Sequence, residues 1–294
     1  MDKPLLKLYG VILILLALAI VFLPMVIGQT SKLTRLASTS VQLAAYQNSS
    51  QATKPPSGPA RANVLIVMDD GWKTQYSNGY RVLKAHGFKA SIGVITDFVG
   101  QPGYMNYEEL AEVYMDGWDL INYSSGHIDL TSLSEEQQIG QMNRARTWLA
   151  DHMMERGKNI LMFPNGQYTS GLLETANDQG YSIALSLSDV YVNGRKRGDV
   201  AVCNLISGFS FEEAAAAIDE AIGRQSTVIF IIHKIEPVTD GTQMQLSEAK
   251  FCGIIEYISS RKDALDVLTM TEWLDAIEAG EAPPQSQDSV SQAR

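Results

Sequence analysis

Four separated stretches of this chain carry side chains suited to acid–base or metal chemistry: Asp69-Asp70-Gly71-Trp72, Tyr123 to His127, Pro164-Asn165-Gly166-Gln167-Tyr168, and His233-Lys234. Adjacent aspartates on a regular strand face opposite ways, so both reach one site only where the chain leaves the sheet, a departure that Gly71 permits. One carboxylate can then bind a divalent cation while the other, close to that positive charge, stays ionised and serves as a base. An Asp-Asp-Gly run is also an ordinary turn, and an imidazole at a strand end can simply be buried there. The chemical reading gains from position, because each stretch follows a short apolar run: "NVLIVM" (63–68), "WDLIN" (118–122), "NILMF" (159–163) and "TVIFII" (227–232). His86, beside Gly87, reads as a helix end, and His152 as a solvated helix residue, so neither is given a role.

These stretches need elements to hold them. Further strand candidates are "ASIGVI" (90–95), "SIALS" (182–186) and "VAVCNL" (200–205), and segments of helical period lie between the strands. The helices are expected over 76–86, 107–115, 134–156, 170–179, 210–222, 247–260 and 271–278, with Ser134 and Thr271-Glu272 as starts. Strands alternating with helices imply repeated βα units on a parallel sheet. The fold class is α/β, and seven strands within 62–279 suit one distorted (β/α)7 barrel. In such barrels the functional groups gather where strands end and the next loops begin.

Taken in order, these segments resemble the polysaccharide deacetylase family with the NodB homology domain, carbohydrate esterase family 4. Val67-Met68-Asp69-Asp70-Gly71 matches its TFDDG motif, and "GWDLINYSSGHIDL" (117–130) its second, histidine-bearing motif. Pro164 to Tyr168 matches a P-Y-G-x-Y form, and "VIFIIHKI" the closing strand that ends in His. The resemblance implies a NodB-like barrel in which Asp69 is the base, Asp70 and His127 hold a divalent metal, usually zinc, and His233 is the general acid. A backbone N–H near Asn165 and Gly166 would steady the oxyanion. Trp72 and Tyr168 stand where they could stack on a sugar or pack as a lid.

The second motif departs from the family at Tyr123, which stands where the first metal histidine belongs. Catalytic zinc normally takes three protein ligands and water, and this alignment leaves two. Three outcomes stay open: Tyr123 as a replacement ligand in phenolate form, another group such as His233 in its place, or loss of the metal. Asn165 replaces the family's Tyr, no Arg precedes Pro164, and Asn204 stands where some branches carry Arg. The implied function is a metal-dependent deacetylase acting on the N-acetyl groups of an amino-sugar polymer or surface glycan. The alternative is a degenerate relative that binds glycans, or serves envelope assembly, without turnover.

The rest of the chain bounds where this chemistry takes place. Its 294 residues are 45% hydrophobic and 19% charged, which is globular usage, and a net charge of −10 repels phosphate backbones, so no nucleic-acid partner is expected. No charged residue occurs from Leu8 to Ser31, so residues 1–28 are expected to form a single transmembrane helix, or else an export signal. Residues 29–61 read as a flexible linker, 62–279 as the barrel, and 280–294 as a disordered tail. The barrel would face outward from the cell membrane. Cys203 and Cys252 are too few for a disulfide scaffold, and free thiols are the plainer expectation.

Overall fold

The computed structural model describes residues 61–280, together with the helical positions Ala37, Val41 and Ala44. Those three belong to a separate compact unit, Met1–Ser49, and the fold below lies in the unit Ser50–Arg294. The expected membrane segment, nearly all of the linker and the tail from 281 onward lie outside the described residues. No helix among the described residues is long and apolar enough to cross a membrane.

Strand β1 (Ala62–Met68) is buried along its whole length, as a central parallel strand covered on both faces must be. A π-helical turn, Gln75–Tyr80, leads into α1 (Arg81–Ala85), which ends at His86 and at Gly87 with φ of 72°. Then come β2 (Ser91–Val94), α2 (Tyr107–Met115), β3 (Asp119–Asn122), α3 (Glu135–Asp151), β4 (Ile160–Met162) and α4 (Ser170–Asp178). Strands β5 (Ile183–Leu185), β6 (Val190–Val192), β7 (Arg195–Lys196) and β8 (Val200–Leu205) follow, then α5 (Phe211–Arg224) and β9 (Thr227–Ile232). The chain finishes with β10 (Lys234–Glu236), β11 (Gln245–Ser247), α6 (Glu248–Ser260), β12 (Leu265–Leu268) and α7 (Met270–Glu278).

The main sheet runs β7-β6-β5-β4-β3-β2-β1-β9-β8, with β12 beside the first half of β1. All its ladders are parallel except β5–β6 and β6–β7. The expected barrel is therefore corrected to an open one, because no ladder among the described residues joins β7 to β8. A hairpin occupies that edge: Val192 pairs with Arg195 around Asn193 and Gly194, whose φ values of 48° and 72° suit the tight Asn-Gly turn.

Leu65, Val67, Ile121, Met162, Leu185, Ile229 and Ile231 form one continuous core with Trp273 of α7. Each such burial contributes roughly 1.5–3 kcal/mol. At the start of the strands Asp119 is fully buried, 3.1 Å from Arg156 Nε, and accepts the Thr271 N–H at 2.7 Å. That anchors the first turn of α7, whose cap is Thr269 rather than Thr271. Thr269 Oγ1 and Glu272 form a reciprocal box that requires a three-residue spacing. Helix α3 also ends earlier than its sequence suggests, since His152 stacks on Trp148 at 3.9 Å, half-buried instead of solvated, and Met153 takes a left-handed φ of 60°.

Candidate active site

Register places the first pair. The β1–β9 ladder runs from Asn63↔Thr227 to Met68↔Ile232, so Asp69 and His233 leave the sheet side by side. Their Oδ1 and Nδ1 atoms lie 2.6 Å apart, both side chains 1% exposed. Gln75, fully buried in the π-helical turn, donates from Nε2 to the carbonyls of Asp69 (2.6 Å), Ile232 (3.2 Å) and His233 (3.0 Å), tying both exits together. The chain then turns back through Asp70 (φ 68°) and Gly71 (φ 74°). Asp70 is thereby brought to the same mouth, where its Oδ2 accepts the Trp72 indole N–H at 2.8 Å.

The β3 exit supplies His127. Asn122 Oδ1 accepts the Ser124 N–H, Gln141 Oε1 accepts from Ser125 and the Gly126 N–H, and Arg144 donates to Ser125 Oγ. Ser124 Oγ accepts the His127 N–H at 3.1 Å, and the imidazole Nε2 ends 3.3 Å from Asp70 Oδ1. Asp70, Ser124, His127 and Asn165 all have positive φ, four of the seven non-glycine cases among the described residues. Each costs about 1 kcal/mol relative to the right-handed region, so backbone strain is concentrated in the loops that aim these groups.

Tyr123 is buried beneath them, its ring edge-on to His127 at 5.0 Å between centroids. Its hydroxyl meets the Asp69 carboxylate and the backbone N–H of Asn165. Burial, then the charges of Asp69 and Asp70, push this phenol well above its ordinary pKa despite the Asn165 contact. In the metal-free fold this leaves a neutral phenol facing Asp69. The Asn165 N–H expected at the oxyanion lies beside the same hydroxyl.

Burial raises the pKa of Asp69, opposed by His233 and Tyr123. Asp70 is raised to about 6 by burial and by Asp69, opposed by His127. Burial lowers His127 against the pull of Asp70, which leaves a neutral imidazole able to act as a ligand. For His233 burial is outweighed by Asp69 and Asp70, so its pKa rises. His233 Nε2 meets Asn204 Oδ1 at 2.9 Å, leaving Nδ1 to face Asp69.

These groups fit a divalent cation. Ligand atoms of Asp69, Asp70 and His233 all lie within 4.8 Å of one another, and His127 joins the group through Asp70. Asp69 Oδ1, His127 Nε2 and His233 Nδ1 are buried, close to one another's partners, yet not aligned in any hydrogen bond. Such a mixed imidazole and carboxylate set suits zinc or a similar metal. The tightest trio includes His233 where the sequence assignment has His127, so both imidazoles stand within reach of Asp70.

The remaining expected residues are engaged elsewhere. Trp72 stacks on Tyr104 at 4.4 Å, and Lys234 Nζ lies 4.0 Å from the Trp72 ring centre. Groups so close fit only on opposite faces, so neither face of the indole is free. Tyr168 stacks on Phe163 and donates to Asp189 Oδ2 at 2.9 Å, packing as part of the loop wall. Gly166 (φ 67°) makes the turn that presents Asn165, and an added Cβ would meet Leu187 at 2.7 Å. Gln75, Gln141 and Arg144 have no signal in the sequence, because they act on backbone groups and a serine rather than within a motif. Cys203 and Cys252 are free thiols.

A model of the polysaccharide deacetylase family matches residues 57–184. The chain is 30% identical over 128 residues to "Putative polysaccharide deacetylase YxkH" of Bacillus subtilis (strain 168), a match over 44% of this chain and 46% of that protein. The chain thus spans about half the length of that relative. Among solved structures it is similar to a "putative polysaccharide deacetylase" from Mycobacterium smegmatis (TM-score 0.58, 11% identity, covering 80% of this chain and 97% of the other). It is also similar to a family 4 acetyl xylan esterase from Clostridium thermocellum in complex with a cobalt ion (TM-score 0.53, 17% identity, 75% and 93% covered). At these identities the structural likeness speaks for the fold, while the sequence match reaches the strands that carry Asp69, Asp70, Tyr123 and His127. Residues 57–184 are thus similar to polysaccharide deacetylase domains, and the fold is shared with NodB-type members of carbohydrate esterase family 4.

Proposed function

We propose that this domain is a metal-dependent deacetylase that hydrolyses the N-acetyl amides of an amino-sugar polymer or surface glycan. Asp70 and His127 hold the cation, with zinc the first to test, and an N-terminal anchor keeps the domain outside the cell membrane. The observation that carries this reading is the trio of buried, unaligned atoms Asp69 Oδ1, His127 Nε2 and His233 Nδ1 around Asp70. The apolar run from Leu8 to Ser31 supports the anchor.

A cation at Asp70 would supply Lewis-acid polarisation of the amide carbonyl and of water. Asp69 accepts a proton from water as its oxygen bonds to the carbonyl carbon, and burial equips this carboxylate to hold that proton. His233, with Nε2 fixed by Asn204, releases a proton from Nδ1 to the amine nitrogen as the C–N bond breaks, giving acetate and a free amine. At 2.6 Å, Asp69 and His233 are close enough for a small realignment to pass the proton between them before the next turnover.

The test is metal content by mass spectrometry together with acetate release from short N-acetylglucosamine oligomers, with Asp69→Asn as the control. One equivalent of metal and release at least ~100-fold above the control is expected; no metal and no excess release rejects the enzyme. Tyr123 favours a second reading, in which a neutral phenol closes the site and the domain binds glycans without turnover. Oligomer binding without acetate would select it.

A further inference from the structure

Lys234 follows His233 directly, on the short strand that leaves the site. Its ammonium rests on the Trp72 ring at 4.0 Å, half-buried; its charge also acts on the exposed Asp240, with which it forms no ion pair. Among the described residues many cations have an ion-pair partner, as Lys73 with Glu109, Lys84 with Asp116, Lys89 with Glu272, Lys196 with Asp189 and Arg197 with Asp199. Lys234 instead stands at the rim of the site where Asp69 and Asp70 lie together, one indole away from Asp70. An approaching anion meets Asp69 and Asp70 there, and Lys234 is the charge positioned to offset them.

We propose that Lys234 selects glycans that carry an anionic substituent, a carboxylate or a phosphate, on or beside the N-acetylated sugar. The proposal rests on the deacetylase reading and names its substrate class. An anionic group draws the ammonium off the indole into an ion pair. The uncovered face of Trp72 is then free to stack on the sugar, its other face still backed by Tyr104. A neutral sugar must displace the same ammonium with no ion pair in return.

The test uses calorimetric binding to the metal-loaded full chain, with Asp69→Asn to prevent turnover. Three probes are compared: a neutral N-acetylglucosamine oligomer, an oligomer containing N-acetylmuramic acid, and N-acetylglucosamine 6-phosphate. The wild-type preference for an acidic over the neutral probe should drop about tenfold in Lys234→Gln, the scale of one charge-assisted contact. It should return in Lys234→Arg and weaken with added salt in the wild type alone. The muramic and phosphate arms separate the two sources of charge. Equal affinity for acidic and neutral probes, or a preference unchanged in Lys234→Gln, overturns the proposal. Failure of the deacetylase reading appears separately, as absence of acetate release by the metal-loaded wild type on every probe while this affinity ratio stays measurable.

Discussion

His233 Nδ1 lies 2.6 Å from Asp69 Oδ1 because the residues just before them, Ile232 and Met68, are direct partners in a parallel ladder. Two groups so joined act as one unit. Asp69→Asn and His233→Gln should each lower the turnover rate for acetate release by about 10²–10⁴-fold. The double variant should fall little below the weaker single one. Losses that multiply across the two sites in steady-state kinetics would show that they work independently.

Tyr123 gives a prediction about metal affinity. Its neutral hydroxyl is spent on Asp69 and the Asn165 amide, so Tyr123→Phe should keep the metal stoichiometry of the wild type. Tyr123→His adds an imidazole beside Asp70 and should tighten binding roughly tenfold or more, in line with a gained ligand. Chelator competition measures both, and metal lost from Tyr123→Phe would make the tyrosine a ligand after all.

Asp70 sets a pH dependence. Its pKa in the metal-free fold is raised to about 6, first by burial and then by Asp69. A raised carboxyl contributes stability that is complete below its unfolded value and is lost as pH rises through about 6. The metal-free protein should therefore lose stability across that interval. Cation binding has the opposite trend, because the ion competes with the proton, and affinity should fall up to about tenfold per pH unit below the Asp70 value. Metal titrations between roughly pH 5 and 7.5 check this; a flat affinity contradicts it.

Gln75 holds the two strand exits by donating to three carbonyls. Gln75→Leu leaves the buried His233 carbonyl without that donor and should destabilise the domain by about 2 kcal/mol in urea unfolding. Acetate release should fall further than stability alone explains, since Asp69 and His233 lose their common tether.

At the opposite ends of the strands, Arg156→Met leaves the Asp119 carboxylate buried without its cationic partner, beside neutral donors such as the Thr271 N–H and Ser91. The expected loss is about 3 kcal/mol, read as a lower Tm, with activity per folded molecule retained. A variant of normal stability and altered activity would mean that this pair serves the site.

Much of the site was legible because parallel strands end at a common rim, so Asp69, His127 and His233 announce themselves as polar residues after apolar runs. The open edge was not: β6 and β7 are three and two residues long, and β12, "LDVL", is too mixed to stand out, yet together they decide that the sheet stays unclosed. The left-handed turns at Asp70, His127 and Asn165 were also hidden, since none of these is glycine. Trp72 and Tyr168 were recognisable as rim aromatics, but only their neighbours Lys234, Tyr104 and Asp189 reveal that their rings and hydroxyl are already engaged.

The most direct measurement is X-ray absorption at the zinc edge on the zinc-loaded protein. The structure predicts one zinc per chain with nitrogen and oxygen neighbours at about 2.0–2.1 Å, and imidazole scattering that weakens in His127→Ala. A protein that retains no zinc, or a zinc whose surroundings are unchanged in both Asp70→Ala and His127→Ala, would contradict the account.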